Sequence, residues 1–338
     1  MKAARFIRPG LIEVREEEIP IPNSDELLIE VKSAGICGTD LHIYRGSNTG
    51  LVTPGTVLGH EFTGIVVEIG SEVKGFEKGN RVAIEPNLFC GHCYYCRTAR
   101  KHFCENWSAI GLSRDGGFQE YCVIPASAAY KFPETINFQT AAFFEPLSCV
   151  LHGLERSKLK PGESVLLQGA GGIGQLFLKI LSQMGLNKII VSDIDSDKLT
   201  VAKNNGATHI INVQKEDLIQ FIQETTSGYG VNVMIDAAGL ASTINDSFSL
   251  LENTGRVLIF GVPNEKQKTE IVPYQIYKKE IEIIGSYTNP YSNEASIRLL
   301  EKLDLSELVT HSITLENIVE QGLNIIGNKG VRKIQIKF

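Results

Sequence analysis

Between residues 164 and 193 the chain sets out a strand, a glycine turn, a helix, a second strand and an acid, and few folds accommodate that order. Val165-Leu166-Leu167 is a fully apolar strand, and Gly169-Ala170-Gly171-Gly172-Ile173-Gly174 follows it. A helical pattern then runs through Met184 to Gly185, a further strand covers Lys188 to Ser192, and Asp193 comes next. A lone G-x-G-x-x-G says little. Set between strand and helix, with an acid after the second strand, it describes a turn that receives the pyrophosphate of a dinucleotide. Gly169 permits the tight turn, Gly171 lets backbone approach the phosphates, and Gly174 allows close helix–strand packing. Gly172 and Ile173 open a helix whose N-terminus faces the phosphates. Asp193 can accept both ribose hydroxyls of NAD and would repel the extra phosphate of NADP, with no Arg close behind to neutralise it. Lys198 reads either as a cover for the adenine ribose or as a solvated helix lysine. The bland alternative for the whole motif is a glycine-rich turn in a fold without a cofactor.

The alternation continues, with strands predicted near 209–213, 231–236, 256–260 and 281–284 and helices near 215–226 and 240–252. That order makes a doubly wound α/β domain, a parallel sheet covered on both faces. After Gly285 the pattern predicts a helix near 292–303, another near 315–326, and a last strand at Arg332 to Lys337 that returns to the first half of the chain.

The first half is different. Short apolar or alternating runs at Leu27 to Val31, Thr63 to Ile69, Arg81 to Ile84 and Phe118 to Ile124 are separated by Gly, Pro, Asn and Asp, which predicts a β-rich region. Within it lie Cys37, then Gly59-His60-Glu61. A thiolate, an imidazole and a carboxylate together suit Zn²⁺, although the pair also reads as a buried Cys and a satisfied core His. Cys90, Cys93, Cys96 and Cys104 form C-x2-C-x2-C-x7-C, a spacing that can close a tetrahedral four-thiolate shell with no open position. Such a site is structural and holds a loop with little core of its own. His92 and His102 lie in the same lobe and could compete as ligands. Cys122 and Cys149 read as buried small residues.

Residues 138–157 predict a helix interrupted at Phe144-Glu145-Pro146-Leu147. Pro146 suits the first helical position, which puts Glu145 near the N-cap. Glu145 is then either an ordinary acidic cap or a carboxylate aimed at the Cys37/His60 metal.

At 338 residues the chain is long enough for two domains. The formal net charge of −6, without a block of like charges, argues against nucleic-acid and membrane partners. Seven cysteines without an apolar signal core speak against a disulfide framework and place the protein in the cytoplasm.

Taken together, Gly35-Ile36-Cys37-Gly38-Thr39-Asp40-Leu41-His42, Gly59-His60-Glu61, the four-cysteine lobe, Glu145-Pro146-Leu147-Ser148 and the glycine turn resemble the zinc-dependent medium-chain alcohol dehydrogenases over essentially the whole chain. The sorbitol and polyol branch is the nearest within them. The resemblance implies a GroES-like catalytic domain over 1–150, completed by 286–338, and an NAD-binding Rossmann domain over 151–285. It implies one catalytic zinc on Cys37, His60 and one or both of Glu61 and Glu145, one structural zinc on the four cysteines, and a proton relay at Thr39 and His42. Hydride would pass from a secondary alcohol of a polyol or polyol phosphate to NAD, giving a ketose, in a homodimer or homotetramer. Glu145, where many plain alcohol dehydrogenases have a cysteine, tilts the reading toward polyols. Ser286-Tyr287-Thr288-Asn289 departs from the Arg-Tyr pair that sorbitol dehydrogenases often carry, which leaves the polyol open. The rivals are an L-threonine-type amino-alcohol dehydrogenase and a non-catalytic, zinc-stabilised nucleotide-binding protein.

Overall fold

The computed structural model describes all residues except 48, 246 and 263–265. The chain divides into two compact units, Met1–Cys149 with Asn289–Phe338, and Val150–Thr288. Among the described residues no helix is long and apolar enough to cross a membrane.

The first unit is built on the strand Glu26–Gly35, whose first four residues are all buried, so both of its faces are covered. It pairs antiparallel with Glu61–Ile69, with Lys333–Lys337 and with Tyr121–Pro125. The sheet continues through Arg81–Ile84 to Ala129–Lys131 on one side and ends at Val309–Ile313 on the other. Leu27, Ile29, Val31, Phe62 and Ile336 are at most 2 % exposed and share one core cluster. The C-terminal strand thus belongs to the first half's sheet, as the predicted return requires. A separate hairpin, Lys2–Arg8 with Leu11–Glu16, was not predicted. Its strands mix charged and apolar residues without strict alternation and meet at Gly10, which turns at φ +77°.

The second unit is a six-stranded parallel sheet in the spatial order His209–Asn212, Lys188–Asp193, Ser164–Gln168, Val231–Asp236, Leu251–Ile259, Glu282–Gly285. Numbered along the chain within this unit, that is the Rossmann order 3-2-1-4-5-6, with its reversal between Ser164–Gln168 and Val231–Asp236. The strands form where fully apolar runs leave no polar face: Val165, Leu166, Leu167, Val233, Met234 and Ile235 are all 0 % exposed. Caps start the helices. Asp195 accepts from Asp197 N at 2.9 Å to open Ser196–Asn204, and Asp217 accepts from Gln220 N at 2.9 Å to open Leu218–Thr225.

Three expected elements differ. The helix expected over 240–252 is two short pieces, Ala241–Asn245 and Ser247–Leu250, and the chain enters its strand already at Leu251; residue 246 lies outside the described set. The helix expected over 315–326 is instead a run of tight and wide turns, Leu315–Asn317, Ile318–Gly322 and Leu323–Ile325. There Gly322 presses so closely on Ile36 that a Cβ would come within 2.7 Å of its Cδ1, so packing overrides a regular helix. Over 138–157 the chain forms Phe138–Ala141, capped by Asn137, and Phe144–Ser157. Glu145 therefore lies inside the first turn rather than at the cap, and Pro146 is the third helical residue. Proline is tolerated there because its missing N–H would have no partner within the helix.

Candidate active site and metal centres

Cys37 immediately precedes the helix Gly38–Tyr44, and its backbone N–H donates to Asp40 Oδ2 at 2.9 Å, closing the first turn on itself. The strand Glu26–Gly35 delivers this turn. Its neighbour delivers the other two donors, because Glu61 is the partner of Gly35 across the ladder and His60 precedes it. The result is that Cys37, His60 and Glu61 each offer a ligand atom within 4.8 Å of the other two. His60 is 7 % exposed and Glu61 is 1 % exposed.

The surroundings of this trio favour a positive charge. Asp40, fully buried, brings Oδ1 to 3.5 Å from His60 Nδ1 as a close charge pair, and neither atom has a hydrogen-bond partner. Burial on its own would lower the His60 pKa, yet the charges of Asp40 and Cys37 hold it well above the usual imidazole range. On the far side of Glu61 stands Lys333, whose Nζ bonds Glu61 Oε2 and donates to the Ile36 carbonyl at 3.2 Å. Burial would lower this lysine too, but Glu61 and Cys37 raise it. Gly35 is required by the pair: a Cβ there would meet Glu61 Oε2 at 2.3 Å and Lys333 Cε at 2.8 Å. A soft sulfur, an imidazole oriented by a carboxylate and a carboxylate oxygen fit the donor chemistry of zinc.

Glu145 lies outside the set of three. It is near enough to respond to it: burial raises its carboxyl to about 7, with His60 pulling down and Glu61 and Glu85 pushing up. Its Oε1 accepts from the thiol of Cys149, one helical turn on, at 3.4 Å. Cys149 is therefore half-buried beside the acid rather than packed as a small apolar residue. Thr39 and His42 are both half-buried on the helix after Cys37, three residues apart and so neighbours on one face.

The second metal motif also closes. The sulfurs of Cys90, Cys93, Cys96 and Cys104 lie within 4.8 Å of one another, and Cys93 and Cys104 are 3.9 Å apart. Four sulfurs around one zinc at about 2.3 Å would be separated by about 3.8 Å. The Cys93 N–H donates to Cys90 Sγ at 3.4 Å and the Cys90 N–H to Cys104 Sγ at 3.3 Å, contacts that favour negative charge on the sulfurs. His92 turns to the Cys90 carbonyl at 2.8 Å and His102 packs on Phe103, so neither joins the ligand set.

In the second unit the glycine turn has the shape expected of it, with one difference. Gly169 turns at φ +99°, and a Cβ on Gly171 would meet nothing within 4 Å, which leaves the backbone open to a ligand. A Cβ on Gly174, however, would strike the Gly169 carbonyl at 1.9 Å, while Leu167 on the strand is 4.0 Å away. Gly174 makes room for the turn rather than for the strand. Gly172 and Ile173 begin the helix Gly172–Leu181. Asp193 is clamped, with Oδ2 accepting from Ala170 N at 2.6 Å and Oδ1 from Asp195 N at 2.8 Å. Lys198 lies 3.9 Å from Asp195 Oδ2.

Sequence reasoning missed Asp40 and Lys333. Asp40 carries a local signal, an acid three residues after Cys37. Lys333 carries none, because only the return of the last strand brings it to the site.

Residues 23–134 match the alcohol dehydrogenase GroES-like domain and residues 172–304 the zinc-binding dehydrogenase family. An L-threonine 3-dehydrogenase of Shewanella baltica (strain OS185) is 33% identical over 94% of both chains. A sorbitol dehydrogenase of Bacillus subtilis (strain 168) is also 33% identical, over 94% of this chain and 91% of its own. Among solved structures, a protein from Sinorhizobium meliloti 1021 described only as a zinc-binding dehydrogenase, bound to NADP, superposes with a TM-score of 0.94 at 35% identity, covering 100% of this chain and 99% of that one. The chain belongs to the zinc-dependent medium-chain alcohol dehydrogenases. It is a zinc-containing oxidoreductase that acts on a small-molecule alcohol with a nicotinamide cofactor.

Proposed function

We propose that the enzyme oxidises a secondary hydroxyl of a polyol or polyol phosphate with NAD, giving a ketose. The observation that carries this reading is Glu145, a carboxylate pushed up to about 7 beside Cys37, His60 and Glu61. A donor set rich in carboxylates suits a substrate with several hydroxyls, each of which can donate to one.

In this reading Cys37, His60 and Glu61, with Glu145 in reach, hold one catalytic zinc, and Cys90, Cys93, Cys96 and Cys104 hold one structural zinc. The chemistry supplied by the bound groups is Lewis-acid polarisation of the hydroxyl by zinc and hydride acceptance by the nicotinamide. Asp40 keeps the His60 ring in one orientation through Nδ1, and Lys333 restrains Glu61. Thr39 takes the hydrogen bond of the reacting hydroxyl, and His42, on the same helix face, passes the proton to solvent. The glycine turn seats the pyrophosphate and Asp193 receives the ribose hydroxyls. Its carboxylate is fixed by two backbone amides, and Asp195 and Asp197 add negative charge nearby, which disfavours the extra phosphate of NADP. Domain roles follow, with catalysis in residues 1–150 and 286–338 and cofactor binding in 151–285. The edge strand Glu282–Gly285 and the exposed Tyr274 and Tyr277 of the helix Pro273–Lys279 suit a homodimer or homotetramer.

A threonine-type activity is the second reading, favoured by the equal identity to an L-threonine 3-dehydrogenase. A panel of sugar alcohols, their phosphates and L-threonine, followed by NADH absorbance, separates the two. Faster turnover of a polyol is expected. Faster turnover of L-threonine would overturn the proposal.

A further inference from the structure

Asn289 stands at a buried junction of the first unit, 1 % exposed, with hydrogen bonds on both ends of its amide. Its Oδ1 accepts from Asn87 Nδ2 at 2.9 Å. Its Nδ2 donates to Ser148 Oγ at 2.7 Å and to Glu85 Oε2 at 3.0 Å. Glu85, 4 % exposed, is the anchor of the junction. Its Oε1 accepts from the N–H of Asn87 at 2.9 Å and from Asn87 Nδ2 at 2.8 Å, and its Oε2 accepts from Asn289 and from Asn293. Asn87 is tied in turn to Trp107, whose Nε1 donates to Asn87 Oδ1 at 3.0 Å.

The other end of this network reaches the start of the helix that carries Glu145. Ser148, 0 % exposed, donates its hydroxyl proton to the Glu145 carbonyl at 2.6 Å while accepting from Asn289. Ser296, also 0 % exposed, donates to the Phe144 carbonyl at 2.8 Å. Two successive carbonyls of the first turn are thus held by side chains, that of Phe144 by Ser296 and that of Glu145 by Ser148, the hydroxyl that Asn289 holds. The hydrogen bond on the Glu145 carboxylate itself comes from a thiol, a weak donor, so the carboxylate's aim depends on where its backbone is held. The chain around Asn289 is strained in keeping with this: Thr288 and Tyr291 take φ of +55° and +64°, and a β-branched residue keeps such a conformation only when its surroundings over-determine it.

We propose that Asn289, acting through Ser148 and anchored by Glu85, is a positioning residue that fixes where Glu145 presents its carboxylate to the Cys37, His60 and Glu61 set. This rests on the reading of Glu145 as part of the metal site. Asn289 touches no ligand atom; it holds the turn from which one projects. Outer partners of this kind commonly change metal affinity by about 10–100-fold.

The test is a double-mutant cycle read by zinc affinity. The full-length protein is titrated against a competing chelator, and the catalytic-site zinc is identified as the one lost in Cys37→Ser. Asn289→Ala and Ser148→Ala are each expected to weaken that site on the order of tenfold. In a Glu145→Ala background the same substitutions are expected to change it less than about twofold. An equal loss in both backgrounds, or no loss in either, overturns the positioning role while leaving Glu145 at the site. If Glu145→Ala itself leaves zinc affinity unchanged, the reading of Glu145 fails and the proposal falls with it. Should Asn289→Ala not fold, Ser148→Ala, which removes one hydroxyl, decides the question alone.

Discussion

Lys333 and Glu61 form a buried ion pair directly behind Cys37, their side chains 9% and 2% exposed. The pair joins the last strand of the chain to the strand that carries the candidate metal ligands. A buried pair adds little over an apolar pair of the same volume, but removing one partner strands a charge. In the zinc-stripped protein, where no metal neutralises Glu61, Lys333→Met is therefore expected to destabilise the first unit by about 3–5 kcal/mol, read from the denaturant midpoint. Lys333→Met with Glu61→Leu is expected to recover most of that stability without recovering activity. A single variant as stable as the parent would show that Glu61 needs no counter-charge.

Stability of the zinc-stripped protein should fall as pH rises. His60 and Glu145 both have pKa values raised in the folded chain, and Glu85 is raised by burial. The folded state therefore holds more protons than the unfolded one between about pH 4.5 and 6, where Glu145 and Glu85 act and Cys90, lowered to about 6, does not yet oppose them. The carboxylates that are lowered, Glu17, Glu26 and Glu316, act below this window. Melting temperature measured from pH 4.5 to 6 is expected to decline in the stripped protein and to decline less with zinc bound, since the metal takes the protons' place. A stripped protein that gains stability over this range would contradict the assigned directions.

Gly174→Ala tests the glycine turn. The added Cβ would strike the Gly169 carbonyl, and overpacking of this sort costs about 1–3 kcal/mol. NADH affinity, read by fluorescence titration, is expected to fall by about 5–150-fold, the range to which that strain converts, while the four-cysteine lobe keeps its zinc. Unchanged affinity would mean the turn relaxes freely.

Asp193→Gly should shift preference toward NADP, because it removes the charge that repels the extra phosphate. Because Asp193 also clamps Ala170 N and Asp195 N, overall efficiency with NAD is expected to drop as well. An unchanged ratio of kcat/KM for the two cofactors would show that the ribose acid is elsewhere.

Much of the fold was legible because its signals are local. The apolar strand, the glycine turn and Asp193 follow one another within a single βα unit, and the four cysteines fall within one short lobe. The candidate catalytic set was legible in part. Cys37, His60 and Glu61 were legible from their ligand types and from the resemblance of two short motifs, and the pairing of Gly35 with Glu61 is what brings those motifs together. Lys333 was not, since its partner is 272 residues away and a lysine in a C-terminal strand resembles any other. The Asn289 junction escaped for the same reason, as its partners come from residues 85, 87, 148 and 293 and none marks itself in sequence. The turns over 315–326 were misread because helical spacing of apolar residues does not report the close approach of Gly322 to Ile36.

The most direct measurement is zinc content and turnover of Cys37→Ser set beside the parent. Two zinc ions per chain are expected in the parent and one in the variant, with NADH binding retained and alcohol oxidation abolished. A variant that oxidises alcohol at the parental rate with one zinc per chain would place the chemistry elsewhere and contradict the account.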